Sequence, residues 1–167
     1  MATLRDMTGA KRALKALLVA TLPAALITVE ADDGRAIGLE MPADDAIVLH
    51  ELPSFPSFPA IEIIGDASVP EGGEDQVDQD CLAYTHRIGV FATVSADDVG
   101  LLTARVELMG QAIVEAVHGA SLDDLEGFET LTTGQADYSP VARIPDQSAF
   151  IKSVAIDVFV ATRRDKD

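Results

Sequence analysis

The sequence has little cysteine, little aromatic content and little positive charge. Its one cysteine, Cys81, excludes an intrachain disulfide and therefore a disulfide-stapled secreted fold. Tryptophan is absent and aromatics make up 5% of the chain, so the core must rest on Val, Ile, Leu and Ala. No apolar run reaches the roughly 18 residues that a membrane span requires. We therefore expect no membrane association.

The scarcity of basic residues limits the partners. The chain has 12 basic and 28 acidic side chains, a net charge of −16. Binding to a bare nucleic-acid backbone is excluded, because it needs Lys and Arg to displace counterions. Residues 1–15 nevertheless carry a local +3, while the remainder carries −19. This polarity would favour head-to-tail contact between copies, or both regions are simply solvated surface.

Motifs for catalysis and for cofactors are also missing. The sequence contains no phosphate-binding loop, no dinucleotide fingerprint and no nucleophile elbow. His50, His86 and His118 are far apart, and one cysteine leaves the common zinc patterns incomplete. A Cys81/His86 nucleophile pair is disfavoured because a spacing of five on one strand places the two residues on opposite faces; we expect His86 on the sheet surface. The sequence predicts no enzyme activity, no cofactor and no metal site.

The first part of the chain predicts one helix. Over residues 7–22, apolar residues recur every three or four positions, and Pro23 is the expected stop. A signal peptide is the alternative, because basic residues precede the apolar stretch 16–27. Pro23 interrupts that stretch and Asp6 lies within the basic region, which favours the helix.

A long irregular segment follows at residues 31–59. Its prolines at 53, 56 and 59 exclude regular helix and central strand there. Such a segment is either an arm that docks on a neighbour or a loop wrapped over its own domain. Residues 60–66 and 82–94 are predicted strands of a hairpin around an acidic loop, which we interpret as solvated rather than as a cation site.

The second half predicts one helix and two strands. Residues 98–118 have a continuous apolar face, with Ser95 or Asp97 as the expected cap. Strands are predicted at 127–133 and 149–162, with a turn over 133–140. The sum is a single α+β domain over 1–167. It is a two-layer sandwich whose mostly antiparallel four-stranded sheet carries two helices on one face.

Four segments carry a resemblance to a known family. They are FPAIEIIGD at 58–66, HRIGVFATV at 86–94, TGQADYSPV at 133–141 and FIKSVAIDV at 150–158. In this order they resemble the tail terminator (tail completion) proteins of long-tailed phages and phage-like particles. The resemblance covers residues 58–162, and it leaves the 31–57 segment and the 67–80 loop unmatched.

The resemblance implies a non-enzymatic virion protein without an organic cofactor. Such proteins form a ring, usually of six copies, that caps the tail tube, stops its polymerisation and faces the head connector. The implied partners are further copies, the tail tube protein and a connector or head-closure protein. DNA would pass through the lumen unbound. The implied location is the neck end of the virion tail, after assembly in the host cytoplasm.

Two other readings stay open, and the contact residues are predicted only as candidates. The first alternative is another head–tail neck protein, such as a head-closure or adaptor protein. The second is a bacterial ligand-binding α+β module. The candidate interface residues are Lys11, Arg12, Lys15, Phe55, Phe58, Glu71, Asp75, Asp78, Asp80, Arg87 and Phe159.

Overall fold

The computed structural model describes residues 6–70, 81–120 and 128–165. These residues form two α-helices and six β-strands. The helices are α1 (Met7–Asp33) and α2 (Val99–His118). The strands are β1 (Ile47–Val48), β2 (Ala60–Pro70), β3 (Cys81–Ala96), β4 (Phe128–Tyr138), β5 (Ala142–Arg143) and β6 (Phe150–Asp165).

The strands form one mixed sheet in the order β1-β2-β3-β6-β4, with β5 also paired to β6. The β1–β2 pair is parallel and every other described pair is antiparallel. The predicted α+β class with two helices is confirmed, but the sheet has six strands rather than four. The two additional strands, β1 and β5, are two residues long, too short for an alternating pattern to define them as strands.

Both helices lie on one face of the sheet and enclose a single core. α1 packs on α2 and on β2, and α2 packs on β3, β4 and β6. Alternate residues of the central strands point into this core and are fully buried, as period-2 patterning requires. Examples on three adjacent strands are Ile63, Val90 and Ile156, which lie opposite one another.

The prediction that helix α1 stops at Pro23 is wrong, because the helix continues to Asp33. Asp6 caps its start by accepting a hydrogen bond from the Gly9 N–H, and Gly34, at φ 74°, ends it. Pro23 lies on the exposed side, while Leu26 and Val29 beyond it are buried in the core. Tertiary packing therefore outweighs the local cost of the proline. By length and composition this helix could cross a membrane, but its leucine face is committed to the core.

Helix α2 matches its predicted range, whereas the four predicted strands are longer than expected. β3 and β6 each have 16 residues, and β4 runs through the predicted turn at 133–140 as far as Tyr138. Bulges allow this, because the ladder shifts register between Thr133 and Ala136. β2 has a similar shift between Gly65 and Ala67.

The irregular segment after α1 wraps over its own domain, the second of the two predicted alternatives. It contains a 3-10 turn at Asp44–Ala46, strand β1 and a cis peptide bond between Phe58 and Pro59. The side chain of Glu62 on β2 accepts a hydrogen bond from the Leu52 N–H at 2.6 Å. These contacts tie the segment to the edge of the sheet.

Candidate interaction surfaces

The solvent side of α1 has no charged side chain over four turns. The residues on this side are exposed and uncharged, although about a quarter of all residues in the chain are charged. The set, called here the α1 stripe, consists of Ala16, Val19, Ala20, Pro23, Ala24, Ile27, Thr28 and Ala31. Ile27 is 72% exposed and Val19 is 40% exposed. A contiguous uncharged face of this kind is typical of a contact surface.

The second uncovered surface is the side of the sheet opposite the helices, called here the open face. Ile64, Phe91, Ala155 and Phe159 lie on it and are half-buried by their neighbours. Both helices pack on the other side. Glycines make room for the rings, since a β-carbon on Gly134 would lie 3.0 Å from Cε2 of Phe159. The candidate residue Phe159 is thus seated flat on the sheet rather than projecting from it.

Arg87, another candidate, is a basic residue on the open face, where it contacts two aspartates. Its Nη2 donates to Oδ2 of Asp157 at 2.7 Å, and its Nη1 lies 3.3 Å from Asp66 Oδ2. The hydrogen bond to Asp157, and then the charges of Asp157 and Asp66, raise the pKa of Arg87. With one cation between two carboxylates, the three side chains together keep a net charge of −1.

The basic candidates on α1 have different positions. Lys11 donates to the Leu49 carbonyl at 2.8 Å and Lys15 donates to the Ile47 carbonyl at 2.6 Å. Both therefore hold β1 and its flank against the helix. Arg12 is exposed and makes no ion pair with any residue that the structure describes.

The other candidates divide between the segment before β2 and the acidic loop. Phe55 and Phe58 are half-buried and contact one another, with ring centroids 5.4 Å apart at 42°. The acidic candidates Glu71, Asp75, Asp78 and Asp80 lie outside the described residues. Their role as interface residues stays a prediction.

The expectation that His86 lies on the sheet surface is wrong, because its side chain is only 3% exposed. Its Nδ1 lies 2.8 Å from Ser68 Oγ and its Nε2 lies 3.4 Å from Thr162 Oγ1. The ring of Tyr84 is stacked with the imidazole of His86, with ring centroids 6.3 Å apart. These contacts form a polar row across β2, β3 and β6, which accounts for a buried imidazole by hydrogen bonding.

A small cavity lies where β3 ends, near the start of β2, the middle of α2 and residues 38–40. Its volume is about 140 Å³. Leu39, Phe58, Pro59, Val94 and Met109 form apolar walls, and the polar lining comes from Gly38, Glu40, Ser95 and Arg105. Among the described residues, no group of three His, Cys, Asp or Glu side chains could hold a metal ion.

Two of these features were missed from sequence. The α1 stripe was hidden because a helix that stops at Pro23 ends before Ile27. Arg105 was not singled out from the sequence, yet it is half-buried and donates to the Ile37 and Ser95 carbonyls. Its place beside Leu102 and Val106, on the flank of the apolar face, was the available signal.

The comparisons with known proteins give a similarity to solved structures. The chain is similar to a chain in the solved structure described as "Virion of native gene transfer agent (GTA) particle". The TM-score is 0.42 and the identity 15%, over 85% of this chain and 92% of that chain. No family model and no curated protein matches the sequence. The function below is therefore drawn from the surfaces and from the resemblance in the sequence.

Proposed function

We propose that this chain is a structural subunit of a phage-like particle that caps the tail tube as a ring of about six copies. The ring ends tube polymerisation and offers its far side to the head connector, while DNA passes through without specific binding. The observation that carries this proposal is the presence of two uncovered surfaces on opposite sides of one domain, the α1 stripe, which has no charged side chain, and the open face.

The relative position of the two surfaces favours a ring over a simple dimer. If the α1 stripe of one copy packs on the open face of the next, the contact joins different surfaces. Such heterologous contacts continue from copy to copy and close into a ring when the rotation is right. A helix on a sheet is also the layering that already builds this domain.

Charge supports a second copy as the occupant of the stripe. Copies with a net charge of −16 repel one another, so the contact between them must avoid acidic side chains. The α1 stripe has none, and on the open face Arg87 offsets one of the two negative charges of Asp66 and Asp157. The resemblance to tail terminators adds support, because its four segments fall on β2, β3, β4 with its following turn, and β6.

The size of the α1 stripe predicts weak association between two isolated copies. It spans about 24 Å of helix and roughly 10 Å in width, an area on the order of 250 Å². That is well below the ~800 Å² per partner of a standard stable interface. Isolated copies should therefore associate only at high concentration or on a tail tube, where several contacts form together.

The test is the solution mass of the purified chain by light scattering over a wide concentration range, with negative-stain images of the same samples. We expect closed rings with a central hole to accumulate as concentration rises. Ile27→Asp places a charge in the α1 stripe and should abolish the rings. Thr8→Asp, an exposed change on the same helix outside the stripe, should leave them intact. Rings that survive Ile27→Asp would exclude the stripe as the contact.

A different head–tail neck protein remains the alternative role for the same surfaces. Mixing the chain with isolated tail tubes and with filled heads distinguishes the two. Binding at the ends of tubes supports the cap, whereas binding to heads alone would replace it with a head-closure or adaptor role.

A further inference from the structure

The cavity beside Arg105 has the properties of a built site rather than a packing gap. Arg105 Nε donates to the Ile37 carbonyl at 3.1 Å, and Nη1 donates to the Ser95 carbonyl at 3.0 Å. Because these two bonds come from two different elements, they fix the plane of the guanidinium. Nη2 lies beside Gly38, 3.5 Å from where a β-carbon would stand.

The charge on Arg105 is not matched within the described part of the chain. It makes no ion pair there, although acidic residues outnumber basic ones by more than two to one. A half-buried guanidinium without a counter-ion has lost water without regaining a carboxylate. Its free N–H groups on Nη1 and Nη2 form a planar end that can donate hydrogen bonds to both oxygens of a carboxylate.

We propose that this cavity binds a carboxylate carried on a short apolar stem. The guanidinium end of Arg105 would take the two oxygens, and the walls formed by Leu39, Val94 and Met109 would take the stem. A cavity near 140 Å³ is close in size to one that holds benzene, so the occupant has roughly six heavy atoms. Butyrate and the end of a glutamate side chain both have this size. The proposal is independent of the ring.

Glu40 gives the proposal a second, directional test. It lines the same cavity and is exposed, and it forms no ion pair within the described residues. Its negative charge opposes an incoming carboxylate. Removing that charge should strengthen binding, whereas loss of the guanidinium fork should weaken it.

The experiment is an NMR titration of the full chain with sodium butyrate at constant ionic strength. It follows the amides of Gly38, Leu39 and Ser95 and the Nε–H of Arg105. We expect saturable shifts with a Kd on the order of 1 mM, as suits about six heavy atoms. Butyramide, which has the same shape without the charge, should bind about tenfold more weakly. Equal binding of butyrate and butyramide, or shifts spread away from these residues, would overturn the proposal.

Three variants separate an effect on butyrate binding from a loss of folding. Glu40→Gln should tighten butyrate binding several-fold, and Glu51→Gln, a matched change at another exposed glutamate, should leave it unchanged. Arg105→Lys keeps the charge but loses the fork, so binding should weaken about tenfold while the amide spectrum stays dispersed. If Glu40→Gln weakens binding, the assignment of the cavity is wrong.

A second titration, with a peptide, identifies the source of the carboxylate. Acetyl-Gly-Glu-Gly-amide is compared with its Gln counterpart in the same titration. Tighter binding of the Glu peptide than of butyrate assigns the site to an acidic side chain of a partner protein. The reverse order assigns it to a free small acid. Failure of both carboxylates to shift these signals would overturn the site and leave the proposed ring untouched.

Discussion

Asp98 accepts a hydrogen bond from the backbone N–H of Leu101 at 2.8 Å and so caps the start of α2. The sequence offered Ser95 and Asp97 as caps, and the structure assigns the role to the next residue. Asp98→Ala should lower the free energy of unfolding by about 1 kcal/mol, because a helix N–H loses its acceptor. Asp97→Ala, at the exposed neighbour, should change it by less than about 0.5 kcal/mol. Urea denaturation measures both, and equal effects would show that Asp98 has no special role.

The buried and exposed sides of α1 should differ sharply on truncation. Leu22 is fully buried, whereas Val19, three residues earlier, is 40% exposed. Leu22→Ala should cost about 2–5 kcal/mol of unfolding free energy, since it removes apolar contacts and leaves a cavity. Val19→Ala should cost less than about 0.5 kcal/mol at concentrations where the chain is a monomer. Guanidinium denaturation at matched concentration provides the comparison, and a large effect at Val19 would mean that the stripe is covered within the chain.

Pro23 should be a stabilising site for substitution. It lies exposed inside a continuous helix, where proline supplies no N–H for the carbonyl four residues earlier. Pro23→Ala should raise the free energy of unfolding by about 1–3 kcal/mol, because it restores that donor and removes the ring. Thermal unfolding at low protein concentration checks the sign. A destabilised variant would indicate that the proline fits a kink on which the core depends.

Asp33 should titrate below its ordinary pKa of 3.8. Its carboxylate accepts two hydrogen bonds from Arg35, at 2.7 and 2.8 Å, and these lower its pKa. A depressed pKa in the folded state adds stability above the unfolded value, and that stability is lost as pH falls through the folded value. Carboxyl carbon NMR measures the shift. Arg35→Gln should return the pKa toward 3.8, and about 1 M salt should shrink the shift, because the pair is exposed. An unchanged pKa in Arg35→Gln would assign the shift to another cause.

The local sequence pattern was sufficient where the alternation of apolar residues alone determines which side of a strand is buried. The alternation around Val90 and Ile156 predicted which side of β3 and β6 is buried, because one face of each strand must meet the helices. The sequence could not place the end of α1, because Pro23 favours a helix stop. Only the packing of Leu26 and Val29 in the core shows that the helix continues. Bulges in β4 likewise have no signature in the turn-like sequence after Thr133.

The candidate surfaces were less accessible to sequence reasoning because they combine distant segments. The Arg105 cavity joins residues near 38, 58, 94 and 105, which no spacing rule connects. The burial of His86 could not be foreseen, because its hydrogen-bond partners Ser68 and Thr162 are 18 and 76 residues away along the chain. Phe159 lies on the open face, and its role in contact between copies stays a prediction.

The bulges in β2 and β4 also govern how the protein behaves when crowded. Both strands form outer parts of the sheet, and a straight outer strand is a template on which other chains add to build fibres. The register shifts beside Ala67 and Ala136 interrupt that template on both sides. In the proposed ring, association through the α1 stripe and the open face would then compete with less strand-to-strand growth. A chain held at high local concentration is less prone to form amyloid when its outer strands are interrupted in this way.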